Sequence, residues 1–390
     1  MRRLAEAVSV TAPLVLAAAA LAACADGGPQ RVSESGFGAF EVSLAVQPHR
    51  IAVAWYDTRD GNAEIYVRLL DGQGRPTGAE HRLTDDPEDS YEVDIDPLGD
   101  GYAVAWYDKD AAGVLGAKLG VWLPDLGFAW RIDLSPPERA SRNPVVAVAS
   151  DRIFCAWIEQ DGDGGERVLA SWWDADGRGR GAPVELEPAG PTTWNLNAAL
   201  ADDGRAYVVF DAAVETAREE LYLVSLDGAE STRVRLTEDD GRASKYPDLA
   251  LSGQRAALTW FDMRDGNREV YLFVGKLDEL AAGIEPHARR ISHTPGESIG
   301  AYVAWNGERI GLAWSDQLDG PHDVVFQSFD ENGAALGESE RITATAARSS
   351  IPAIRPWRSG FAIAWNEVER GAGGVHGPDA RSEVDLFLRP

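Results

Sequence analysis

The stretch IAVAWYD at residues 51–57 recurs, with variations, seven times along the chain. Each copy is an apolar run that ends in an aromatic residue, followed one or two places later by an acidic residue. A repeat of this length with several short strand patterns per unit is typical of propeller blades. The sequence therefore predicts an all-β fold, a seven-bladed β-propeller. The aromatic markers stand 50 to 54 residues apart and are Trp55, Trp106, Trp157, Phe210, Trp260, Trp314 and Trp365.

Each repeat divides into four short strands, which we name A to D in chain order. Strand A is an apolar run such as residues 42–46 or 247–251, and strand B carries the marker. Asp-Gly turns such as Asp60-Gly61 then lead towards strand C, and this dipeptide between apolar runs is a strong hairpin signal. Strand B is apolar on both faces, as expected for a strand sandwiched between two neighbouring blades.

A short triplet of Arg, an aliphatic residue and Ser, Thr or Asp forms strand D, as in Arg82-Leu83-Thr84. An extra copy, Arg31-Val32-Ser33, precedes the first marker, and none follows Trp365. We therefore expect residues 31–33 to be the outer strand of the last blade, beside a strand C at 383–388. Closing the ring in this way removes unpaired sheet edges. The predicted propeller domain spans residues 31–390.

The N-terminal segment has the features of an export signal. Arg2 and Arg3 precede an Ala-rich apolar stretch at 8–23, which is too short for a typical membrane span. The following Leu21-Ala-Ala-Cys24 resembles the lipobox of bacterial lipoproteins. That resemblance implies a signal peptide at 1–23, lipidation of Cys24, a tether at 24–30 and an extracytoplasmic, membrane-anchored location in the cell envelope. The alternative is an ordinary secretory signal followed by an unrelated cysteine.

The net charge limits the classes of partner that the chain can bind, and the cysteine content limits its thiol chemistry. The formal net charge is −26, from 63 acidic and 37 basic residues, which disfavours nucleic acid because phosphates are repelled. Cys155 occupies a repeat position otherwise held by aliphatic residues, so we interpret it as a buried structural thiol. No cofactor or catalytic metal is predicted. Structural calcium at residues 161–166 (DGDGGE) is an alternative to a simple flexible turn.

Two repeats resemble a known family. The segments 57–66 (DTRDGNAEIY) and 262–271 (DMRDGNREVY) are similar to repeats of TolB-type propellers and of sialidase-like propeller lipoproteins of bacteria. At the level of the fold, the resemblance covers the whole mature chain. It implies an extracytoplasmic propeller. It says little about activity, because propellers include enzymes, receptors and scaffolds.

The acidic residues after the markers form a ring on one face of the predicted propeller. This ring is open to two interpretations, a surface for cations or basic partners and a set of turn caps that pair with local arginines such as Arg59 and Arg264. Repetition in nearly every blade favours the structural interpretation, since catalysis needs asymmetry. The ring comprises Asp57, Asp108, Glu159, Asp211, Asp262, Asp316 and Glu367.

Alternate residues of strand A are expected to line the central channel. Most of these positions hold small residues, as a crowded axis demands, and five depart from the pattern. These departures are candidate ligand-binding residues, since polar groups beside an axial cavity can hold a ligand. The competing interpretation is a solvated channel in which Arg355 pairs with Asp96 or Asp94. The five candidates are Asp94, Asp96, Asp248, Tyr302 and Arg355.

The leading functional hypothesis is a non-catalytic binding or scaffolding propeller of the cell envelope, with a protein or glycan partner. The alternative is a sialidase-like glycan hydrolase or lyase. A sialidase would need three converging arginines, an activated tyrosine and an acidic proton donor, and convergence of Arg59, Arg264 and Arg355 does not follow from the sequence. No catalytic residue is assigned, and enzymatic activity stays undecided at this level.

Overall fold

A computed structural model of the chain describes residues 28–36, 38–160, 165–190, 193–214, 216–283, 288–369 and 381–389. Cys24, the signal segment and residues 161–164 of the calcium candidate lie outside these ranges. The described residues form 28 strands and one short helix, α1 (Leu277–Ala281). No helix within these ranges is long and apolar enough to cross a membrane.

The strands form seven four-stranded sheets, one for each predicted blade. The chain begins with β1 (Gln30–Arg31). Blade 1 contains β2 (Ala39–Gln47), β3 (Arg50–Asp57), β4 (Glu64–Asp71) and β5 (His81–Arg82). Blade 2 contains β6 (Ser90–Leu98), β7 (Gly101–Lys109), β8 (Leu115–Leu123) and β9 (Gly127–Asp133). Blade 3 contains β10 (Ser141–Ala149), β11 (Arg152–Gln160), β12 (Glu166–Asp174) and β13 (Val184–Gly190).

The remaining blades repeat the same order. Blade 4 contains β14 (Thr193–Leu200), β15 (Ala206–Ala212), β16 (Glu220–Asp227) and β17 (Glu230–Arg235). Blade 5 contains β18 (Ser244–Ser252), β19 (Arg255–Asp262), β20 (Glu269–Lys276) and β21 (Arg289–Arg290). Blade 6 contains β22 (Ser298–Trp305), β23 (Arg309–Asp316), β24 (Asp323–Asp330) and β25 (Glu340–Arg341). Blade 7 contains β26 (Arg348–Trp357), β27 (Gly360–Glu369) and β28 (Arg381–Arg389), with β1 as its fourth strand.

The ring is closed by the N-terminal strand, as the sequence predicts. β1 runs antiparallel to β28, with Gln30 opposite Leu386 and Arg31 opposite Asp385. The strand begins one residue earlier than predicted, at Gln30, and the pairing continues past its end. The Val32 amide donates to the Val384 carbonyl at 2.8 Å. The seven-bladed fold and its closure are thus confirmed.

The triplet of strand D has a specific structural role, which blade 1 shows clearly. Thr84 Oγ1 accepts a hydrogen bond from the Ile65 amide at 2.8 Å and donates one to the buried carboxylate of Glu64. Arg82 contacts the same carboxylate at 2.9 Å. The triplet therefore joins strand D to an acidic residue at the start of strand C.

The closing strand repeats this arrangement across the two ends of the chain. Ser33 Oγ accepts from the Val384 amide at 2.8 Å and donates to the Glu383 carboxylate. Arg31 Nε donates to Asp385 at 2.7 Å. Blade 7 is thus held together by contacts similar to those of blade 1, although its outer strand comes from the opposite end of the sequence.

The marker aromatics are buried between neighbouring blades. Trp55 is fully buried in a cluster with Val384 and Leu386 of blade 7 and with Tyr66 of its own blade. Cys155 lies in the corresponding cluster between blades 2 and 3, fully buried, and burial raises the pKa of its thiol. The interpretation of Cys155 as a structural thiol agrees with this position.

The acidic residues that follow the markers are tied into the fold. In blade 1, Trp55 Nε1 donates to Asp57 at 3.1 Å, Ser35 Oγ donates at 2.8 Å, and Arg59 pairs with the carboxylate at 2.5 Å. Burial alone would raise the pKa of Asp57, but these hydrogen bonds hold it below its ordinary value. Trp260, Ser244 and Arg264 surround the Asp262 carboxylate in the same way. The structural interpretation of this ring is supported.

We predict that Ser33→Ala lowers the free energy of unfolding by about 1–3 kcal/mol, because it leaves the buried Val384 amide without its side-chain partner and removes one of the hydrogen bonds to the Glu383 carboxylate. Denaturant unfolding of the purified protein measures the change. The matched control is Ser231→Ala, since Ser231 is exposed on the outer strand of blade 4. Equal stability of the two variants would contradict this role of Ser33.

Candidate functional site

Strand A of every blade contains a β-bulge near its start, at the mouth of the central channel. In blade 1 the pairing of β2 with β3 shifts between Phe40 and Ser43. Among the described residues, six blades have a residue in the left-handed region at this bulge. Only one of the six is glycine, and each non-glycine residue there costs about 1–2 kcal/mol. The φ values are 51° for Glu41, 45° for Glu92, 48° for Asn143, 58° for Tyr246, 57° for Gly300 and 53° for Ile351.

These bulge residues form a third layer of the channel, which we name the rim layer. It lies two residues before the layer that contains Asp94 and Asp248. The sequence predicts the two deeper layers, which contain Asp94 and Asp96. One further step of the same alternation along strand A leads to the rim layer. The rim layer consists of Glu41, Glu92, Asn143, Asn195, Tyr246, Gly300 and Ile351.

Two carboxyl groups from neighbouring blades lie close together at the rim. Burial and the nearby charge of Glu92 raise the pKa of Glu41 to about 8. Glu41 keeps some accessible surface along its side chain, but its Oε2 atom is buried and has no hydrogen-bond partner in the described part of the chain. Burial also raises the pKa of Glu92, against the opposing effects of Arg142 and of a hydrogen bond with Tyr107. At neutral pH Glu41 is therefore predominantly protonated.

Three tyrosines, Tyr107, Tyr246 and Tyr302, lie near the carboxyl groups of Glu41 and Glu92. Tyr246 is 38% exposed, stacks on Phe261 with ring centroids 5.4 Å apart and is hydrogen-bonded to the Asn195 side chain. Burial is the main cause of a raised pKa at Tyr246 and Tyr302, and the charges of Glu41 and Glu92 add to it. Residues of blades 1, 2, 5 and 6 thus converge across the axis. We name them the rim cluster: Glu41, Glu92, Tyr107, Tyr246 and Tyr302.

The acidic channel residues predicted from the sequence connect neighbouring blades. Asp94 accepts from Ser43 Oγ of blade 1 and from the Val146 amide of blade 3, both at 2.9 Å. Asp96 accepts from the Val148 amide of blade 3 at 2.7 Å. Asp248 joins blade 5 to blade 6 in the same way, by accepting from the Val303 amide at 2.7 Å. These carboxylates therefore have a structural role as well as their place in the channel.

A cavity of about 470 Å³ lies in the lower half of the channel, away from the rim. Three of the five predicted residues line it, namely Asp96, Asp248 and Arg355, whereas Asp94 and Tyr302 do not. Burial raises the pKa of Asp96 to about 7 and that of Asp248 to about 6. Arg355 donates to the Ile354 carbonyl at 3.0 Å. Within the described residues it makes no ion pair shorter than 4.0 Å, although its charge acts on Asp96 and Asp248 and opposes the effect of burial on their pKa values.

The three arginines weighed for a sialidase-like site lie in three different blades. Arg59 and Arg264 pair with Asp57 and Asp262 in blades 1 and 5, while Arg355 lies in the lower channel of blade 7. These three arginines therefore do not form one substrate-binding cluster. The described ranges contain no group of three or more His, Cys, Asp or Glu residues that could hold a metal ion. Structural calcium at residues 161–166 stays a prediction.

No family model matches the chain, and no curated protein matches its sequence. Solved structures share its fold at low sequence identity. Polysaccharide lyase Uly1 has a TM-score of 0.55 and 10% identity over 90% of each chain. The β-propeller domain of the Trilobed protease from Pyrococcus furiosus has a TM-score of 0.54 and 9% identity, covering 92% of this chain and 95% of that one. An alpha-L-arabinofuranosidase from Fusarium graminearum has a TM-score of 0.53 and 8% identity, covering 78% and 97%. These similarities support the propeller fold alone.

We predict that Glu41→Gln stabilises the protein at pH 8 and has little effect near pH 4.5. In the unfolded chain the carboxyl ionises near its ordinary pKa of 4.5, whereas in the folded chain it keeps its proton to about pH 8. Stability of the wild type therefore falls as pH rises through this window. The glutamine variant lacks this loss of stability. Its free energy of unfolding therefore exceeds that of the wild type by the order of a few kcal/mol at pH 8.

Unfolding free energies measured from pH 4.5 to pH 8 test this prediction. Glu308→Gln serves as the control, because Glu308 is exposed. Parallel pH profiles for the wild type and Glu41→Gln would contradict the assignment of a retained proton to Glu41.

Proposed function

We propose that this chain is a lipid-anchored propeller of the cell envelope that binds a glycan at the rim cluster. The observation that carries this proposal is the convergence of Glu41, Glu92 and three tyrosines at one mouth of the channel. The left-handed position recurs in six blades of the described chain, but only blades 1 and 2 carry an acidic residue there, Glu41 and Glu92.

The chemistry of the rim cluster suits a sugar. Tyr246 offers a partly exposed aromatic face, on which the apolar C–H face of a pyranose or furanose ring can pack. Protonated Glu41 is both a donor and an acceptor, Glu92 provides a second carboxyl group, and Asn195 provides an amide beside Tyr246. Adjacent donors and acceptors of this kind match the hydroxyl groups of a glycan. A nucleic acid would be repelled by the strongly negative chain.

The location in the envelope is supported by the N-terminal sequence. Arg2, Arg3 and the apolar stretch that ends at Cys24 have the pattern of a lipoprotein signal. Lipidation with two or more acyl chains would anchor the protein stably. Since Gln30 already belongs to β1, only a few residues would separate the lipid from the seam of the ring.

Two of the structural neighbours favour a glycan over a protein as the partner. One is described as a polysaccharide lyase, and the other as an arabinofuranosidase in complex with an iminosugar inhibitor. Their similarity to this chain is one of fold, so their activities enter here only as support for the ligand class.

A second candidate function is cleavage of the bound glycan. It is favoured by two adjacent carboxyl groups, since a protonated Glu41 beside Glu92 could donate a proton to a leaving oxygen. Under this function Glu41→Gln would retain binding and lose product formation by about 10²-fold or more. If the wild type binds the glycan but does not cleave it, the result supports the non-catalytic function.

We predict that Tyr246→Ala weakens glycan binding about tenfold, whereas Tyr246→Phe, which keeps the ring, binds within about threefold of the wild type. The probe is an array of bacterial surface glycans, followed by titration of the best binder. Leu126→Ala is the control, because Leu126 is 81% exposed at the turn between β8 and β9. Unchanged affinity of Tyr246→Ala, or no binding to any glycan on the array, would contradict the proposal.

A further inference from the structure

The cavity in the lower channel is a second polar site, separate from the rim cluster. Its volume of about 470 Å³ lies within the range of small-ligand pockets. Its charged side chains are Asp96 of blade 2, Asp248 of blade 5 and Arg355 of blade 7, and most of the other lining residues are apolar. A cavity of this size holds a molecule of several to a dozen heavy atoms rather than a macromolecule.

Within the described residues, neither the aspartates nor the arginine of this cavity forms a direct ion pair, although the charge of Arg355 acts on Asp96 and Asp248 from beyond 4.0 Å. Asp96 uses Oδ2 for the Val148 amide, and its Oδ1 atom makes no hydrogen bond within the described residues. Arg355 spends one hydrogen bond on the Ile354 carbonyl and is farther than 4.0 Å from every described carboxylate. A charged group inside a protein is normally paired, because desolvation without a partner is unfavourable.

We propose that this cavity binds a small zwitterion of the amino-acid class. The ammonium group would lie against Asp96 and Asp248, and the carboxylate would pair with the guanidinium of Arg355, for which bidentate carboxylate binding is the preferred geometry. The raised pKa values of both aspartates agree with this assignment, since a bound ammonium would favour their ionised forms.

Other ligand classes match the charges less well. An organic cation without a carboxylate would leave Arg355 unpaired and facing a like charge. An anion without an ammonium would meet two carboxylates. A neutral sugar would leave both kinds of charge without a counter-group. A molecule with both charges a few ångströms apart satisfies all three side chains at once.

Isothermal titration calorimetry of the full chain at pH 8 tests this proposal. The probe is L-lysine, whose second ammonium matches the second aspartate, and the comparisons are putrescine, succinate and glucose. We expect L-lysine to bind and each comparison compound to bind at least about tenfold more weakly. Putrescine binding as tightly as L-lysine would overturn the role of Arg355. Absence of L-lysine binding at millimolar concentration, or equal binding of glucose, would overturn the proposal.

Two variants locate the binding. Asp96→Asn keeps an acceptor for the Val148 amide and removes the charge, and Arg355→Met removes the guanidinium while keeping an unbranched chain. Each is expected to weaken L-lysine binding at least about tenfold, and unchanged affinity in either would contradict the assignment. Asp203→Asn, at an exposed turn, is the control. We expect both variants to keep the cooperative denaturant unfolding of the wild type, which shows that they fold and makes this test independent of glycan binding at the rim.

Discussion

The pairing of β1 with β28 is the contact on which the rest of the structure depends. It joins residues 350 or more positions apart in the sequence through Ser33, Glu383 and the Val384 backbone. Without it, blade 7 would present an unpaired outer edge and the ring would have a seam between blades 7 and 1. The positions of all seven A strands follow from closure, and both the rim cluster and the lower cavity are formed between these strands.

A symmetric ring provides an asymmetric site because the repeated positions have diverged. The contacts that hold a blade together, such as Trp55 to Asp57, recur around the ring and have structural roles. The bulge in strand A also recurs, but the residues placed on it differ from blade to blade. Acidic side chains from blades 1 and 2 therefore meet tyrosines from blades 5 and 6, which are distant in sequence.

The fold was predictable from the sequence because it rests on periodic features. The spacing of Trp55 and its counterparts gives the blade number, and the displaced triplet that begins with Arg31 gives the closure. The rim cluster was not predicted, although it lies only one step of the strand-A alternation beyond the two predicted layers, and the positive φ of Glu41 at the bulge has no signature of its own in the sequence. The sequence also left open whether Arg355 pairs with Asp96, because the distance between them depends on the curvature of the whole ring.

The most direct measurement is hydrogen exchange, followed by mass spectrometry, of peptides that cover residues 381–389. It compares the wild type with a chain that begins at Glu34 and so lacks the closing strand. Closure by β1 predicts strong protection in the wild type and rapid exchange of the Val384 region in the shortened chain, with other blades less affected. Equal protection of β28 in the two proteins would contradict the central role of the closing strand.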